Sequence, residues 1–398
     1  MHPVRAMRTR TGFHRRTLGI RVALLFGALM LLGGGCVRPS STAPTPPPEG
    51  GVYRSDDGGV TIFQKVVVEG GGVLSGIQPR QVELVPLTPD VLYLVAAEGL
   101  FRTTNAGERW EQLTIPAASV HSITVHPRNP NILLASGVAP APNGRGKIWK
   151  SLTAGEAWEE VFTAPATRVE TGTIVRRQRE VHAVVNSVTH DTQAPEIVYA
   201  GTSTGALLIS VDGGMHWQER YSFRQGVTGL KTSPTKSGFL LVRLADGTLV
   251  RSLDGGDTVD LVDLRRATDQ QTGGLTGLSS GFGAPRDPAN AVAFLRTPDS
   301  DDEGILVGTQ SALFRSNDGG ETWDQLRIPS SGTVRTPVIS VAQSPNGILW
   351  AASGAIVFSS MDDGNTWRAL DTPLQTGLRF LVADPARANR LYFVFSAQ

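Results

Sequence analysis

Ser316–Trp323 reads SNDGGETW, and the chain carries six more octets of the same design. They are Ser55–Ile62 SDDGGVTI, Thr103–Trp110 TTNAGERW, Ser151–Trp158 SLTAGEAW, Ser210–Trp217 SVDGGMHW, Ser252–Val259 SLDGGDTV and Ser360–Trp367 SMDDGNTW. A hydroxyl opens every copy. Position three is Asp57, Asp212, Asp254, Asp318 or Asp362, replaced by Asn105 and Thr153 in two copies. Position five is always glycine: Gly59, Gly107, Gly155, Gly214, Gly256, Gly320 and Gly364. Five copies end in tryptophan: Trp110, Trp158, Trp217, Trp323 and Trp367. Such recurrence over most of a chain decides the architecture before any single residue does.

The octet is a turn with a mechanism. The Asp carboxylate accepts backbone N–H groups, as in Asx turns. Glycine permits positive φ where a Cβ would clash. The closing Trp offers a large apolar surface to a neighbouring layer. Strand-like runs flank each octet, and two more lie upstream around a Pro/Asn/Asp turn. Ser122–His126 and Asn131–Ser136, then Lys147–Lys150 and Trp158–Phe162, form one such unit. Four strands per repeat make one propeller blade.

The octets resemble the Asp box, S-x-D-x-G-x-T-W, of the BNR/sialidase-type β-propellers, over residues 51–398. One strand, Gly51–Arg54, precedes the first octet. Two runs, near Leu378–Ala383 and Arg390–Phe395, follow the last outer strand. The expected fold is all-β: a seven-bladed propeller of four-stranded blades, closed by N-terminal outer strands pairing with C-terminal inner strands. Closure removes two exposed edges.

Composition agrees. Glycine numbers 45 and proline 25 in 398 residues, and 40% of the chain is hydrophobic. This is too apolar for disorder, with no collagen period. One cysteine, Cys36, excludes an internal disulfide framework and Cys-rich metal centres. Six of the 37 basic residues lie within residues 1–35, leaving 31 against 36 acids in the remainder. A mildly acidic body speaks against bulk nucleic-acid binding.

Residues 1–35 read as an export signal: six arginines, no acid, then VALLFGALMLL at Val22–Leu32. Eleven apolar residues are short of the roughly 20 needed to span a bilayer. Gly33-Gly34-Gly35-Cys36 resembles a bacterial lipobox, in which the cysteine is lipidated, although Gly33 stands where that pattern prefers Leu. Arg15-Arg16 suggests twin-arginine export, without the usual aromatic. Val37–Gly50, with five prolines, is an extended linker. At PPII rise it reaches roughly 40 Å. The expected location is therefore the extracytoplasmic or periplasmic side of a membrane, as a lipid-anchored monomer.

In a four-stranded blade the boxes occupy one face of the ring. By family analogy, function uses the other. Three long connections are expected there: Val138–Gly146, Ala164–Glu180 and Arg265–Asn290. They carry Arg145, Arg168, Arg176, Arg177, Arg179, Arg265 and Arg266, while Asp299, Asp301, Asp302 and Glu303 are expected on the opposite face. A basic recognition face for an acidic protein partner, anionic ligand or glycan follows.

Catalytic readings are weaker. The resemblance to sialidases implies three arginines, a Tyr–Glu pair and an acid Asp on six blades. Here Tyr53, Tyr93, Tyr199, Tyr221 and Tyr392 all sit in expected strands. Arg327-Ile328-Pro329 matches the sialidase tripeptide but ends an outer strand. A glycosidase needs two carboxylates about 5–9.5 Å apart. Glu170, Glu180, Asp269 and Asp287 are the ones able to reach the loop face. Paired Asp-box propellers of the xyloglucanase type exist, and this chain holds one. Asp56-Asp57 and Asp362-Asp363 lack the further oxygen ligands of a calcium loop. His121, His126, His182, His190 and His216 show no metal spacing, and no phosphate loop follows Gly70–Gly72. No cofactor is implied. The expected function is a binding or assembly scaffold, similar in architecture to photosystem II assembly-factor lipoproteins and more distantly to sortilin ectodomains. The alternative is a carbohydrate-active propeller.

Overall fold

Short runs of Leu, Val and Ile, cut at intervals by Gly, Asp and Pro, favour strands joined by tight turns. The computed structural model describes residues 50–142, 144–171, 177–264, 268–269, 287–296, 303–329, 336–354, 356–370 and 377–397. All belong to one compact unit, Pro48–Gln398. The proposed signal and Cys36, together with Arg176, Arg265, Arg266, Asp299, Asp301 and Asp302, lie outside the described residues.

Blade three shows the plan. Ser119–Val125, Leu133–Val138, Gly146–Ser151 and Glu159–Thr163 pair antiparallel, each with the next, from ring centre to rim. Residues 79–113, 185–222, 227–261, 289–326 and 338–370 repeat this meander as blades two, four, five, six and seven. Blade one is composite, in the order Phe63–Gln64, Gly51–Ser55, Leu391–Phe395, Leu378–Ala383. Gly51 opposes Phe395 and Ser55 opposes Leu391. The ring therefore has seven blades and closes by pairing the two chain ends. The five tyrosines all fall in strands.

Because each blade is flanked on both faces, its second strand is mostly apolar rather than alternating, as buried strands are. Leu92–Ala96, Val198–Thr202 and Leu391–Phe395 are buried at every residue. The box tryptophans fill the clefts between blades. Trp110 of blade two packs on Val52, Tyr392 and Val394 of blade one. Trp323 of blade six packs with Leu241 and Leu249 of blade five.

Polar clasps join the blades at both radii. Near the axis, the Gln81 amide donates to the Ile123 carbonyl at 2.8 Å and accepts its N–H at 2.9 Å. Asn186 similarly donates to the Val227 carbonyl at 2.9 Å. At the rim, the residue just before a box reaches the fourth residue of the next box. Arg54 donates to the Ala106 carbonyl, Arg102 to Ala154, Lys150 to Gly213, Arg251 to Gly319 and Arg315 to Asp363, all at 2.7–2.9 Å. The closing seam adds an ion cluster: Arg390 bonds Asp56 at 2.6 Å and Asp90 at 2.7 Å, and Arg387 forks onto Asp90.

Two expectations change. Ala164–Glu180 is not a loop: Ala166–Thr171 and Arg177–His182 form an antiparallel ribbon. Alternation of Thr, Val and charged residues there has strand period, which its length concealed. The Arg265–Asn290 connection does not simply crowd onto the loop face. Its Thr268–Asp269 pairs parallel to Asp324–Gln325, the outer strand of blade six. Glu303, in the link between the first two strands of blade six, is buried and accepts from the Ser233 and Thr235 hydroxyls of blade five.

The loop face as candidate functional site

Antiparallel order fixes the two faces. Connections between strands one and two, and three and four, share one end of every blade; all others share the opposite end. The seven boxes occupy the first face.

Their chemistry is structural. In every copy the glycine N–H at position five donates to the first-position hydroxyl, at 2.8–3.0 Å. That hydroxyl donates to the third-position oxygen, as Ser316 does to Asp318 at 2.7 Å. The same oxygen accepts the seventh residue's N–H, at 2.9 Å for Asp57, Asn105, Asp212, Asp254 and Asp318. Asp362 accepts in the same way from Thr366, and Thr153 from Ala157. The seventh-position hydroxyl of Thr61 and its backbone N–H hold the Asp57 pKa at about 2; the corresponding bonds from Thr258 do the same for Asp254. At Asp318 burial opposes ionisation, yet the bonds from Thr322 and Ser316 still lower its pKa. These carboxylates are spent on turns.

Sequence reasoning missed half of each turn. Position four is left-handed as well as position five: Gly319 has φ 69° beside 87° for Gly320. Ala106, Ala154 and Asp363 adopt it without being glycine, at φ 56°, 53° and 59°. The rim clasp explains why the strain persists, since it captures the carbonyl that this conformation turns outward.

The loop face is irregular. Short links such as 97–98 and 203–205 stand beside longer ones. Among the described residues the largest feature is the ribbon between blades three and four. Its feet straddle Gly146: Ala164 N–H donates to the Gly146 carbonyl at 2.8 Å, and Gly146 N–H to the Ala183 carbonyl at 3.0 Å. A Cβ at Gly146 would meet the Ala183 carbonyl and stand 2.8 Å from the Val185 nitrogen, so only glycine fits between the feet. Register places Arg168 across from Glu180, Val169 from Arg179 and Thr171 from Arg177. Arg145 is half-buried beside the same root, on the 139–145 link. The structure thus gathers Arg145, Arg168, Arg177 and Arg179 on one sector. Gly50 and Ala397 reach this face too, so both ends of the propeller chain leave from it.

Carboxylates with described side chains on this face are engaged. Glu98 accepts the Gln78 N–H at 3.0 Å. Asp246 accepts from the Gln225 amide at 2.8 Å and the Thr248 N–H at 2.9 Å. Asp287 accepts the Thr309 and Ser311 hydroxyls at 2.6 and 2.5 Å. The side chains of Glu170, Glu180 and Asp269 lie outside the described residues. In the axial channel, removal from bulk water raises the Glu83 pKa, opposed by Lys231 across the ring. His190 is buried, with Nδ1 3.3 Å from the Thr124 hydroxyl and its ring edge-on to His126. Burial lowers its pKa to about 3. Among the described residues, no three His, Cys, Asp or Glu side chains gather as a metal site, and no helix is long and apolar enough to cross a membrane.

Fold and turns together define a seven-bladed Asp-box β-propeller with one elaborated face. Residues 288–378 match the family described as photosynthesis system II assembly factor YCF48. Among solved structures, YCF48 from Cyanidioschyzon merolae shares the fold at TM-score 0.52 and 16% identity, over 80% of this chain and 95% of that one. YCF48 bound to a D1 peptide gives TM-score 0.54 at 15% identity, over 81% and 93%. A xyloglucanase from Paenibacillus sp is 25% identical over 279 residues, 61% of this chain but 26% of the enzyme, so the chain spans about a quarter of that relative.

Proposed function

We propose that this protein is a binding scaffold whose loop face recognises a protein segment of acidic character, held outside the cytoplasm by a lipid on Cys36. The observation that carries the reading is the asymmetry of the two faces. One is saturated by seven self-satisfied turns, whereas the other raises a ribbon and long connections with Arg145, Arg168, Arg177 and Arg179 in one sector. Surfaces that bind partners tend to sit on connections carried by a rigid frame. The family match over residues 288–378, and a fold-sharing YCF48 solved with a D1 peptide, support a protein ligand. Basic side chains steer an acidic partner on approach and set its orientation.

Crosslinking in native membranes, comparing the parent with a chain carrying Arg168→Glu, Arg177→Glu and Arg179→Glu, tests the reading; equal yields of the same adduct would sink it. The anchor is tested separately. Cys36→Ala should abolish incorporation of labelled palmitate and release the protein from the membrane fraction.

The match to a xyloglucanase supports a second reading, hydrolysis of a β-glucan. It asks for two carboxylates free to face a sugar, and Glu98, Asp246 and Asp287 are each held by turn bonds. Release of reducing sugar from xyloglucan by the purified chain would favour it.

A further inference from the structure

Among the described residues the ribbon is a sheet of two strands. Ala166–Thr171 pairs with Arg177–His182 over six residues, and the pair stands apart from every blade sheet. An isolated two-stranded ribbon is marginal in water, and stability comes with a third strand or a covering layer. Among the described residues each strand therefore presents one edge without a neighbouring strand, a template for another extended chain. The blades deal with their own edges differently. Blade six is lined by Thr268–Asp269, and the outer edge of blade two by Val67–Glu69, where Trp110 N–H donates to the Val67 carbonyl at 2.8 Å and Glu69 N–H to the Trp110 carbonyl at 2.7 Å. Two blades thus have their outer edges lined by a parallel strip of the same chain, and the ribbon has no such strip among the described residues.

We infer that the ribbon captures its partner by strand addition along the Arg177–His182 edge, and that the partner is an extended, acidic peptide segment; this rests on the loop-face reading above. Six residues give an edge of roughly 20 Å, enough for a pentapeptide or hexapeptide. The strand RQREVH holds two arginines against one glutamate, whereas ATRVET balances one against one. Charge complementarity therefore selects the second strand and an acidic occupant. Main-chain bonds would supply affinity, and alternate side chains specificity, as in other strand-addition recognition. The feet clamped around Gly146 tie the ribbon's root to blade three.

The probe is a labelled peptide, acetyl-Glu-Val-Asp-Thr-Glu-Val-Asp-Thr-amide, titrated against the full chain. Two further versions carry N-methyl groups on alternate amides, one on the odd set and one on the even set. In an added strand only one set points at the ribbon. One methylated peptide should bind like the parent, and the other should lose at least about tenfold, the worth of one or two hydrogen bonds. A chain in which Gly-Ser-Gly replaces residues 165–182 should lose binding while keeping its melting temperature, which shows the blades intact. Equal affinity of the two methylated peptides overturns strand addition, as does undiminished binding to the ribbonless chain or no binding to the parent. If methylation is ignored but the triple Arg→Glu chain fails to bind, strand addition falls and the basic loop face stands. If the native partner's crosslink survives the triple reversal, the loop-face reading itself falls.

Discussion

The two faces of the ring are built from the same strands and obey opposite rules. On the box face seven connections repeat one geometry: a hydroxyl, a carboxylate or its substitute, and two consecutive left-handed residues. On the loop face the described connections differ in length and form, and one has grown a sheet of its own. The difference separates the face that holds the fold together from the face we propose for recognition. A turn that satisfies its own donors and acceptors, and receives a clasp from the blade behind it, has little left for a ligand. A face that closes nothing is free to vary.

If that division is right, substitutions on the box face should act on folding and those on the loop face on binding. The largest effect is expected at Trp110, fully buried under blade one and donating its indole N–H to the Lys65 carbonyl at 3.0 Å. Trp110→Ala should lower unfolding free energy by about 3–5 kcal/mol in chemical denaturation. Half-exposed Trp217→Ala should cost visibly less, and equal losses would contradict the account of the clefts.

Acid comes next. The folded His190 pKa, about 3, lies below its ordinary value near 6.5. Stability from keeping it neutral is therefore complete above pH 6.5 and lost as pH falls towards 3, on the order of a few kcal/mol. Melting temperature should decline through that window, and His190→Asn should flatten the decline; a slope unchanged in the variant refutes the assignment. Ser316→Ala leaves the buried Gly320 N–H without an acceptor and should cost about 1–3 kcal/mol, read by the same denaturation.

The triple reversal Arg168→Glu, Arg177→Glu and Arg179→Glu inverts the comparison. Partner affinity should fall by at least about tenfold while stability stays within about 0.5 kcal/mol. A large loss of stability there would erase the division between faces. Smallest of all, Ala154→Gly should raise stability by about 0.5 kcal/mol, because relief of the left-handed strain slightly exceeds the added chain entropy.

Much of this was legible in the chain itself. The octets announced the turns and the count of blades, and the incomplete blade at each end announced the closure. The rim clasp was also present as a basic residue before five of the boxes, at Arg54, Arg102, Lys150, Arg251 and Arg315. It passed unread because its acceptor is a backbone carbonyl of another repeat about 50 to 70 residues away, and carbonyls leave no mark in sequence. The burial of Glu303 is hidden for a related reason, because Ser233 and Thr235, which hold it, come from the preceding blade.

Local chemistry alone determined the repeating turn, the strands around it and the number of repeats, because each depends on residues within a few positions of one another. Tertiary structure decided what sequence distance hides: which carbonyl each rim cation grasps, which acid is buried, and that the stretch after Ala164 rises as a separate ribbon. The clasps and the burial of Glu303 hang on groups from neighbouring blades meeting in space, whereas the ribbon is a local pairing whose root is set by Gly146 of blade three.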